Sequence, residues 1–182
     1  APLGPTHEAI EDIAILRAIP NMTILAPADA DEMRRLMPLT VDYPGPIYVR
    51  LAKGYDPIVT TETKSFEIGK GVIYRDGKDA LILTTGITLN IAMKAAEKLV
   101  KQGIDSSIIH CHTVKPIDST TILNMVSNIP IIVTVEEHSV IGGLGTAVAE
   151  LIAESNFNPS KKFKRIGIPD TFPDQYGSQS SL

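Results

Sequence analysis

The stretch that decides the fold is ALILTTGITLNIAMKAAEKLVKQGIDSSIIHC, residues 80–111. It begins with a strand-like run at 80–85 and ends with another at 106–111. Residues 89–102 between them read as a helix, and Gly103 follows at the position where a left-handed cap is favoured. The stretch therefore predicts a strand–helix–strand unit, the repeating unit of a parallel α/β sheet.

The same alternation continues on both sides of this unit. Asp118 is placed to cap a helix, and Asp76-Gly77 is a turn signal just before residue 80. Further elements are predicted at 71–75 (strand), 119–127 (helix), 131–135 (strand), 144–154 (helix) and 165–168 (strand). Strands and helices of these lengths predict an α/β fold with a doubly wound, mostly parallel sheet.

The first sixty residues predict a helix, a strand, a helix and a strand. Thr6 is placed to cap a helix that starts at His7 and ends at Pro20. The elements that follow are a strand at 22–26, a helix from an Asp29 cap to about Leu36, and a strand at 46–51. Residues 54–65 are rich in threonine without apolar periodicity, so we interpret them as a linker.

Composition limits the classes of function. The 182 residues are 43% hydrophobic, which is enough for a real core. Seventeen Lys and Arg against 21 Asp and Glu give a net charge of −4, which predicts no nucleic-acid partner. No apolar run is long enough to span a membrane, and the first residues lack the pattern of a secretory signal. The single Cys111 cannot form an internal disulfide, so a cytoplasmic location is expected.

Several short motifs occur in a fixed order along the chain. They are Gly4-Pro5-Thr6-His7, Ala26-Pro27-Ala28-Asp29, Gly45-Pro46-Ile47-Tyr48-Val49-Arg50, Thr113-Val114-Lys115-Pro116-Ile117-Asp118 and Gly142-Gly143-Leu144-Gly145. With these motifs the chain resembles the transketolase superfamily from residue 1 to about residue 180. The resemblance implies that residues 1–60 are the C-terminal part of a pyrimidine-binding domain. It also implies that residues 66–182 form a transketolase C-terminal α/β domain.

The resemblance implies a transferase that moves a two-carbon ketol unit between sugar phosphates. Its cofactors would be thiamine diphosphate and a divalent metal such as Mg²⁺, both bound mainly by parts outside this chain. The partner would be a second copy, or a subunit that carries the diphosphate-binding domain. The glutamate that activates the cofactor in this family would also lie outside, so this segment alone is expected to be inactive.

His7 is the catalytic candidate. In relatives with the Gly-Pro-Thr-His motif, the matching histidine faces the reaction centre and hydrogen-bonds substrate oxygens. The positive end of a helix disfavours the charged form of an imidazole placed there. A neutral imidazole can polarise a carbonyl or relay a proton. Many relatives carry aspartate just before this motif, where this chain has Leu3. Because leucine cannot accept a hydrogen bond, the preferred donor sugar is expected to differ.

Arg50 and Lys53 are the candidates for binding the phosphate of a sugar phosphate. Lys53 matches the basic phosphate-binding residue of the family, and Arg50 matches a position that is often basic in 1-deoxy-D-xylulose-5-phosphate synthases. Arginine binds phosphate bidentately, whereas lysine acts as a point charge. An equally weighted alternative is that both are ordinary solvated charges at a strand end.

Three further motifs are interpreted as structural. His110-Cys111-His112 lacks a complete set of metal ligands, so packing at a strand end is favoured. The run at 142–145 is expected to allow close strand–helix packing rather than to cradle an anion. Glu136-Glu137-His138 follows a strand, and we expect a role in assembly with a neighbouring subunit or domain.

Two alternatives remain open at the level of function. The first is an enzyme similar to 1-deoxy-D-xylulose-5-phosphate synthase. The second is a non-catalytic module for assembly or regulation, for which Leu3 leaves room.

Overall fold

The computed structural model describes residues 9–52, 54, 56–60 and 66–172. The helices in these ranges are α1 (Asp12–Arg17), α2 (Ala30–Thr40), α3 (Thr88–Val100), α4 (Ser119–Asn128) and α5 (Leu144–Glu154). The strands are β1 (Thr23–Leu25), β2 (Ile47–Val49), β3 (Val72–Arg75), β4 (Ala80–Thr84), β5 (Ser106–His110), β6 (Thr113–Lys115), β7 (Ile131–Ser139) and β8 (Lys162–Ile168).

A five-stranded sheet with helices on both faces forms most of the second segment. Its order is β3-β5-β4-β7-β8, and the last four of these strands run parallel. Because side chains alternate along a strand, Leu81 and Leu83 of β4 pack with α4 and α5, whereas Ile82 packs against α3. The predicted doubly wound, mostly parallel α/β fold is confirmed.

A second, three-stranded sheet joins the beginning of the chain to the rest. β1 pairs in parallel with β2 and antiparallel with β6. β6 was not predicted from the sequence; it follows β5 after a short break. Ile13, Ile24 and Val114 form one fully buried cluster between α1, β1 and β6. The division into residues 1–60 and 66–182 stays a prediction, since this sheet takes strands from both segments.

The predicted start of the first helix at His7 is wrong for the described residues. α1 begins at Asp12, and residues 9–11 are not helical. In a longer helix the Ala14 amide would donate to the Ile10 carbonyl. Here Ser139 N donates to Ile10 O at 2.8 Å, and Ala14 N donates to His138 Nε2 at 3.3 Å. Long-range partners from β7 therefore replace the helical hydrogen bond.

Two other elements extend beyond their predicted ends. Asp29 caps α2 as predicted, with Oδ1 accepting from Glu32 N at 2.9 Å, but the helix continues past Leu36 to Thr40. Pro38 lies inside the last turn of this helix. β7 continues four residues past 135, because its alternate residues 132, 134, 136 and 138 stay fully enclosed.

The turn at Asp76-Gly77 is present, but β3 and β4 are not neighbours in the sheet. β3 pairs antiparallel with β5, and β4 lies between β5 and β7. All five residues of β4 are buried, as expected for a central strand. A Cβ on Gly77 would lie 2.5 Å from the Ser106 carbonyl carbon, so the close approach to β5 requires glycine here.

Candidate functional site

Two polar clusters lie where the first segment (residues 9–60) meets the second (residues 66–172). The Arg50 cluster comprises Asp12, Tyr48, Arg50, Glu137 and His138. The Glu32 cluster comprises Glu32, Arg35, Phe66, His110 and His112. Each cluster takes side chains from both segments, so polar contacts as well as apolar packing connect them.

Arg50 follows β2 and reaches back to the start of α1. Its Nε lies 3.1 Å from Asp12 Oδ2, and Nη2 donates to the carbonyl of Ala9 at 2.8 Å. The side chain is 15% exposed, and Nη1 lies 3.9 Å from Glu137 Oε2. The guanidinium therefore fixes the chain two residues after His7 in sequence.

Tyr48 is a second partner of the Asp12 carboxylate, beside Arg50. Its hydroxyl donates to Asp12 Oδ2 at 2.8 Å. Burial, and then this hydrogen bond to a carboxylate, raise the pKa of Tyr48 to about 12. The hydroxyl consequently remains a donor at neutral pH, and Asp12 Oδ2 faces both a phenol and a guanidinium.

His138 is fully buried at the end of β7. Its Nδ1 lies 2.7 Å from the carbonyl of Ser139, and Nε2 accepts from Ala14 N at 3.3 Å. This arrangement assigns the proton of a neutral imidazole to Nδ1. Burial lowers the pKa of His138, although Ser139 and Asp12 act in the opposite direction, so the neutral form is favoured.

The structure brings only part of the predicted site into view. Arg50 lies in the Arg50 cluster, whereas His7 and Lys53 fall outside the described residues, as does Leu3. Arg50 is not a freely solvated charge, because it is paired and mostly buried. Binding of phosphate by Arg50 and Lys53, and catalysis by His7, stay predictions. A phosphate at Arg50 would share the guanidinium with Asp12.

The glycine run before α5 allows close packing, as expected, and the helix start that follows it also binds an anion. The Glu136 carboxylate accepts from Leu144 N at 2.7 Å and from Gly145 N at 2.8 Å. The anion at this helix start is thus a side chain of the protein itself. Close packing is confirmed as well, since a Cβ on Gly143 would lie 2.7 Å from His138 Nδ1. Burial raises the pKa of Glu136, although the hydrogen bonds from these two amides act in the opposite direction.

The contacts of residues 136–138 agree with the neighbouring-domain form of the expected assembly role, because His138 and Glu137 meet the first segment. Glu136 and His138 are enclosed within this chain, where they bind α5 and α1 respectively. They are therefore not available to another subunit. Glu137 is the partly exposed member of the three, and it belongs to the Arg50 cluster.

The Glu32 cluster joins α2 to β5 inside the protein. Glu32 Oε2 accepts from Ala28 N at 2.6 Å and lies 2.9 Å from His110 Nε2, and both side chains are fully buried. Burial opposes the charge of Glu32, but His110 and the other donors outweigh it, so the pKa of Glu32 is lowered. The pair is thus a buried link between the two segments.

His112 packs beside this link. Its ring stacks on Phe66 at 4.1 Å between centroids, and burial lowers its pKa to about 4. Its Nε2 has no hydrogen-bond partner in the described part of the chain. Burial raises the pKa of Cys111 to about 12, which leaves an unreactive thiol. The predicted packing role of this motif agrees with these contacts.

The described residues show no metal-binding group, and the helix start at α5 already holds an anion. Among residues 9–52, 54, 56–60 and 66–172, no group of three or more His, Cys, Asp and Glu is arranged to hold a metal. The start of α5, an anion-binding position, is filled by Glu136. In the same ranges, no helix combines the length and apolarity needed to cross a membrane.

Comparison with known families agrees with this architecture of two joined segments. The model described as the transketolase C-terminal domain matches residues 69–182. The model described as the transketolase pyrimidine-binding domain matches residues 2–55. The class defined by the fold is a transketolase-type α/β domain attached to part of a pyrimidine-binding domain. The chain belongs to the transketolase family.

Individual relatives match nearly the whole length of this chain. The transketolase C-terminal section of Methanocaldococcus jannaschii is 44% identical over 171 residues, covering 93% of this chain and 52% of the relative. The 1-deoxy-D-xylulose-5-phosphate synthase of Rippkaea orientalis is 43% identical over 175 residues, covering 94% and 27% respectively. A solved split-gene transketolase, described as an inactive β4 tetramer, superposes with a TM-score of 0.86 at 37% identity, covering 92% of this chain and 55% of that one.

The chain therefore spans about half, or less, of the length of these relatives.

Among the site residues, Arg50 was predicted from the sequence, but its partners Asp12 and Tyr48 and the contact of His138 with α1 were not. The available signal for His138 was its place as a polar residue among the buried alternate positions of β7. Its partner, the Ala14 amide, lies 124 residues earlier and leaves no local sequence pattern.

Proposed function

We propose that this chain is the C-terminal part of a thiamine-diphosphate-dependent transketolase that moves a two-carbon ketol unit between sugar phosphates. The observation that carries the proposal is the match to two transketolase family models, in order along one chain. Family membership supports a thiamine-dependent transferase. The donor, the acceptor and the activity of the assembled enzyme belong to the proposal.

In this proposal His7 binds and orients substrate oxygens, while Arg50 and Lys53 bind the phosphate. The hydrogen bond from Arg50 to the Ala9 carbonyl supports placing the guanidinium and His7 in one site, because the two residues are connected through a short segment. A mostly buried guanidinium attracts a phosphate more strongly than a solvated one, since the surrounding dielectric is lower. Thiamine diphosphate would supply the carbanion chemistry.

The remaining parts of the enzyme are proposed to lie outside this chain. Thiamine diphosphate and Mg²⁺ would be held mainly by a diphosphate-binding domain, in a partner subunit or in a second copy. The length of the relatives, one of them a split-gene transketolase, supports this arrangement. A cytoplasmic location is part of the same proposal, supported by a single buried cysteine, Cys111.

A second candidate is a 1-deoxy-D-xylulose-5-phosphate synthase. It is favoured by the Rippkaea orientalis relative, although the chain covers 27% of that enzyme. A non-catalytic module remains the candidate from another class. Product analysis separates the three, because a two-carbon transfer, a deoxyxylulose phosphate and no product are distinct outcomes.

The test is a kinetic comparison in the protein that contains this chain, assembled with its diphosphate-binding domain. His7→Ala is expected to lower kcat by about 100-fold or more, as for loss of a general acid–base group. Arg50→Ala is expected to raise KM for the sugar phosphate at least about tenfold, since a charged hydrogen bond is lost.

Arg75→Ala is the matched control, because Arg75 also pairs with an aspartate, Asp105, at 2.8 Å but lies outside the site. It should leave KM unchanged. Wild-type protein that forms no product from any ketose phosphate would refute the enzymatic proposal. Equal KM values for the Arg50 and Arg75 variants would refute the phosphate role.

A further inference from the structure

The chain that follows His7 is held at two points by the second segment and at a third by Arg50 of the first segment. Ser139 N donates to Ile10 O at 2.8 Å, and Ala14 N donates to His138 Nε2 at 3.3 Å. Arg50, at the end of β2, donates to the Ala9 carbonyl and pairs with Asp12, while its Nη1 faces Glu137 of β7. These contacts replace the helical bonds that the sequence predicts for residues 9–11.

The packing around His138 allows this close approach. The imidazole is fully buried between α1 and the start of α5. A Cβ on Gly143 would lie 2.7 Å from His138 Nδ1, and a Cβ on Gly142 would lie 2.5 Å from Ala14 Cβ. Only residues without a Cβ bring the end of β7 this near to α1.

We infer that His138 is a positioning residue for the proposed reaction, because it fixes residues 9–14, the segment that follows the candidate catalytic residue His7 in sequence. The inference rests on the proposed function of His7. His138 acts through the Ala14 amide and does not contact substrate. The second segment then contributes directly to the geometry of the catalytic centre, beyond its part in the core.

The hydrogen-bonding pattern makes the positioning dependent on the protonation of His138. The charged groups that face it are Asp12 from α1, Glu136 and Glu137 from β7, and Arg50 from the end of β2. Protonated Nε2 can no longer accept from Ala14 N. It would instead face Asp12 Oδ1, which lies 3.9 Å away and has no hydrogen-bond partner among the described residues. Protonation therefore releases the Ala14 amide.

The structural test is hydrogen exchange on the full protein that contains this chain. His138→Leu removes the acceptor, and His138→Gln restores an acceptor oxygen near the position of Nε2. We expect exchange at the Ala14 amide to rise about tenfold or more in the leucine variant and to stay within about threefold of wild type in the glutamine variant. Exchange across α4 should be unchanged in both.

The kinetic test uses the assembled enzyme with its diphosphate-binding partner. His138→Leu should lower kcat about tenfold, with KM changed less than about threefold, since orientation and not binding is lost. His138→Gln should restore kcat and remove the loss of activity that His138 protonation causes at low pH. Unchanged exchange at Ala14, or unchanged kcat, in folded His138→Leu would overturn the inference.

Two outcomes separate this inference from the proposed function. If the wild-type assembly transfers no ketol unit, the proposed function fails, and the exchange experiment still decides whether His138 holds residues 9–14. If His138→Leu does not fold, exchange at the Ala14 amide is compared between wild type and His138→Gln as the pH is lowered, because only the wild-type acceptor can be protonated. Protection that is lost at low pH in wild type and kept in the glutamine variant supports the inference, and the same pH dependence in both overturns it.

Discussion

Ser106 and Ser107 are adjacent on β5, and both are fully buried, but their hydroxyls have different surroundings. Ser107 Oγ donates to Gly77 O at 2.7 Å and accepts from Gly77 N at 2.8 Å. Ser106 Oγ has no hydrogen-bond partner in the described part of the chain. The two side chains are thus a matched pair, equal in type and burial but not in hydrogen bonding.

We expect Ser107→Ala to lower the free energy of unfolding by about 1–3 kcal/mol, because the Gly77 amide and carbonyl lose their partner. Ser106→Ala should be neutral or stabilising, since it removes a buried hydroxyl without a partner. Urea unfolding of the two variants provides the measurement. Equal destabilisation by both substitutions would contradict the assigned hydrogen bonds.

Residue-level prediction from sequence succeeded where the partner is close in the chain. Asp118 was predicted as a cap, and its Oδ1 accepts from Thr121 N at 3.1 Å. Prediction from sequence failed where the partner is distant in the chain. Glu32 looks like an ordinary helical residue, and its link to His110 becomes visible only once α2 packs on β5. Such pairings depend on the tertiary fold and carry no local sequence signal.

At the scale of elements, the start of α5 depends on Glu136. We expect Glu136→Gln to lower the free energy of unfolding by about 1–3 kcal/mol, because the neutral amide offers one acceptor to two backbone donors in a buried site. Glu97→Gln, on the exposed face of α3, is the control and should change little. The measurement is thermal or urea unfolding. A Glu136 variant as stable as the Glu97 control would refute the capping role.

The Glu32 cluster predicts a dependence of stability on pH. Burial lowers the pKa of His112 from 6.5 to about 4, so the folded chain keeps the imidazole neutral while the unfolded chain binds a proton. Unfolding then takes up a proton between these values. His112 should therefore lower the free energy of unfolding as pH falls from about 6.5 to about 4, by on the order of 3 kcal/mol in total.

His112→Gln cannot titrate and should reduce this pH dependence. The comparison is the difference in unfolding free energy between about pH 7 and about pH 4, measured for both proteins under the same salt conditions. His138, whose pKa is also lowered, remains and preserves part of the slope. A variant with the same slope as wild type would show that His112 is not buried in its neutral form.

Element-level prediction recovered most strands and helices but not all their pairings. α4 and α5 begin where Asp118 and the glycine run predict. The pairing of β3 with β5, and of β6 with β1, was not predicted, because strand neighbours are chosen by packing across the whole sheet. The shortened α1 has the same cause, since its hydrogen bonds are taken by β7.

At the scale of the whole molecule, the two segments are fused by a shared sheet and by two buried polar clusters. They therefore should move as one unit, and the second segment should influence any active site that includes His7. Among the described residues, no group of three or more His, Cys, Asp and Glu is arranged to hold a metal, and the start of α5 is occupied by the Glu136 carboxylate.

The most direct measurement is ketol transfer from a ketose phosphate to an aldose phosphate, followed with and without thiamine diphosphate and Mg²⁺. It compares these 182 residues alone with the protein that contains them, assembled with the diphosphate-binding domain. We expect cofactor-dependent transfer by the assembly and none by the 182 residues. Absence of transfer by the assembly with every ketose phosphate offered, or activity of the isolated chain, would contradict it.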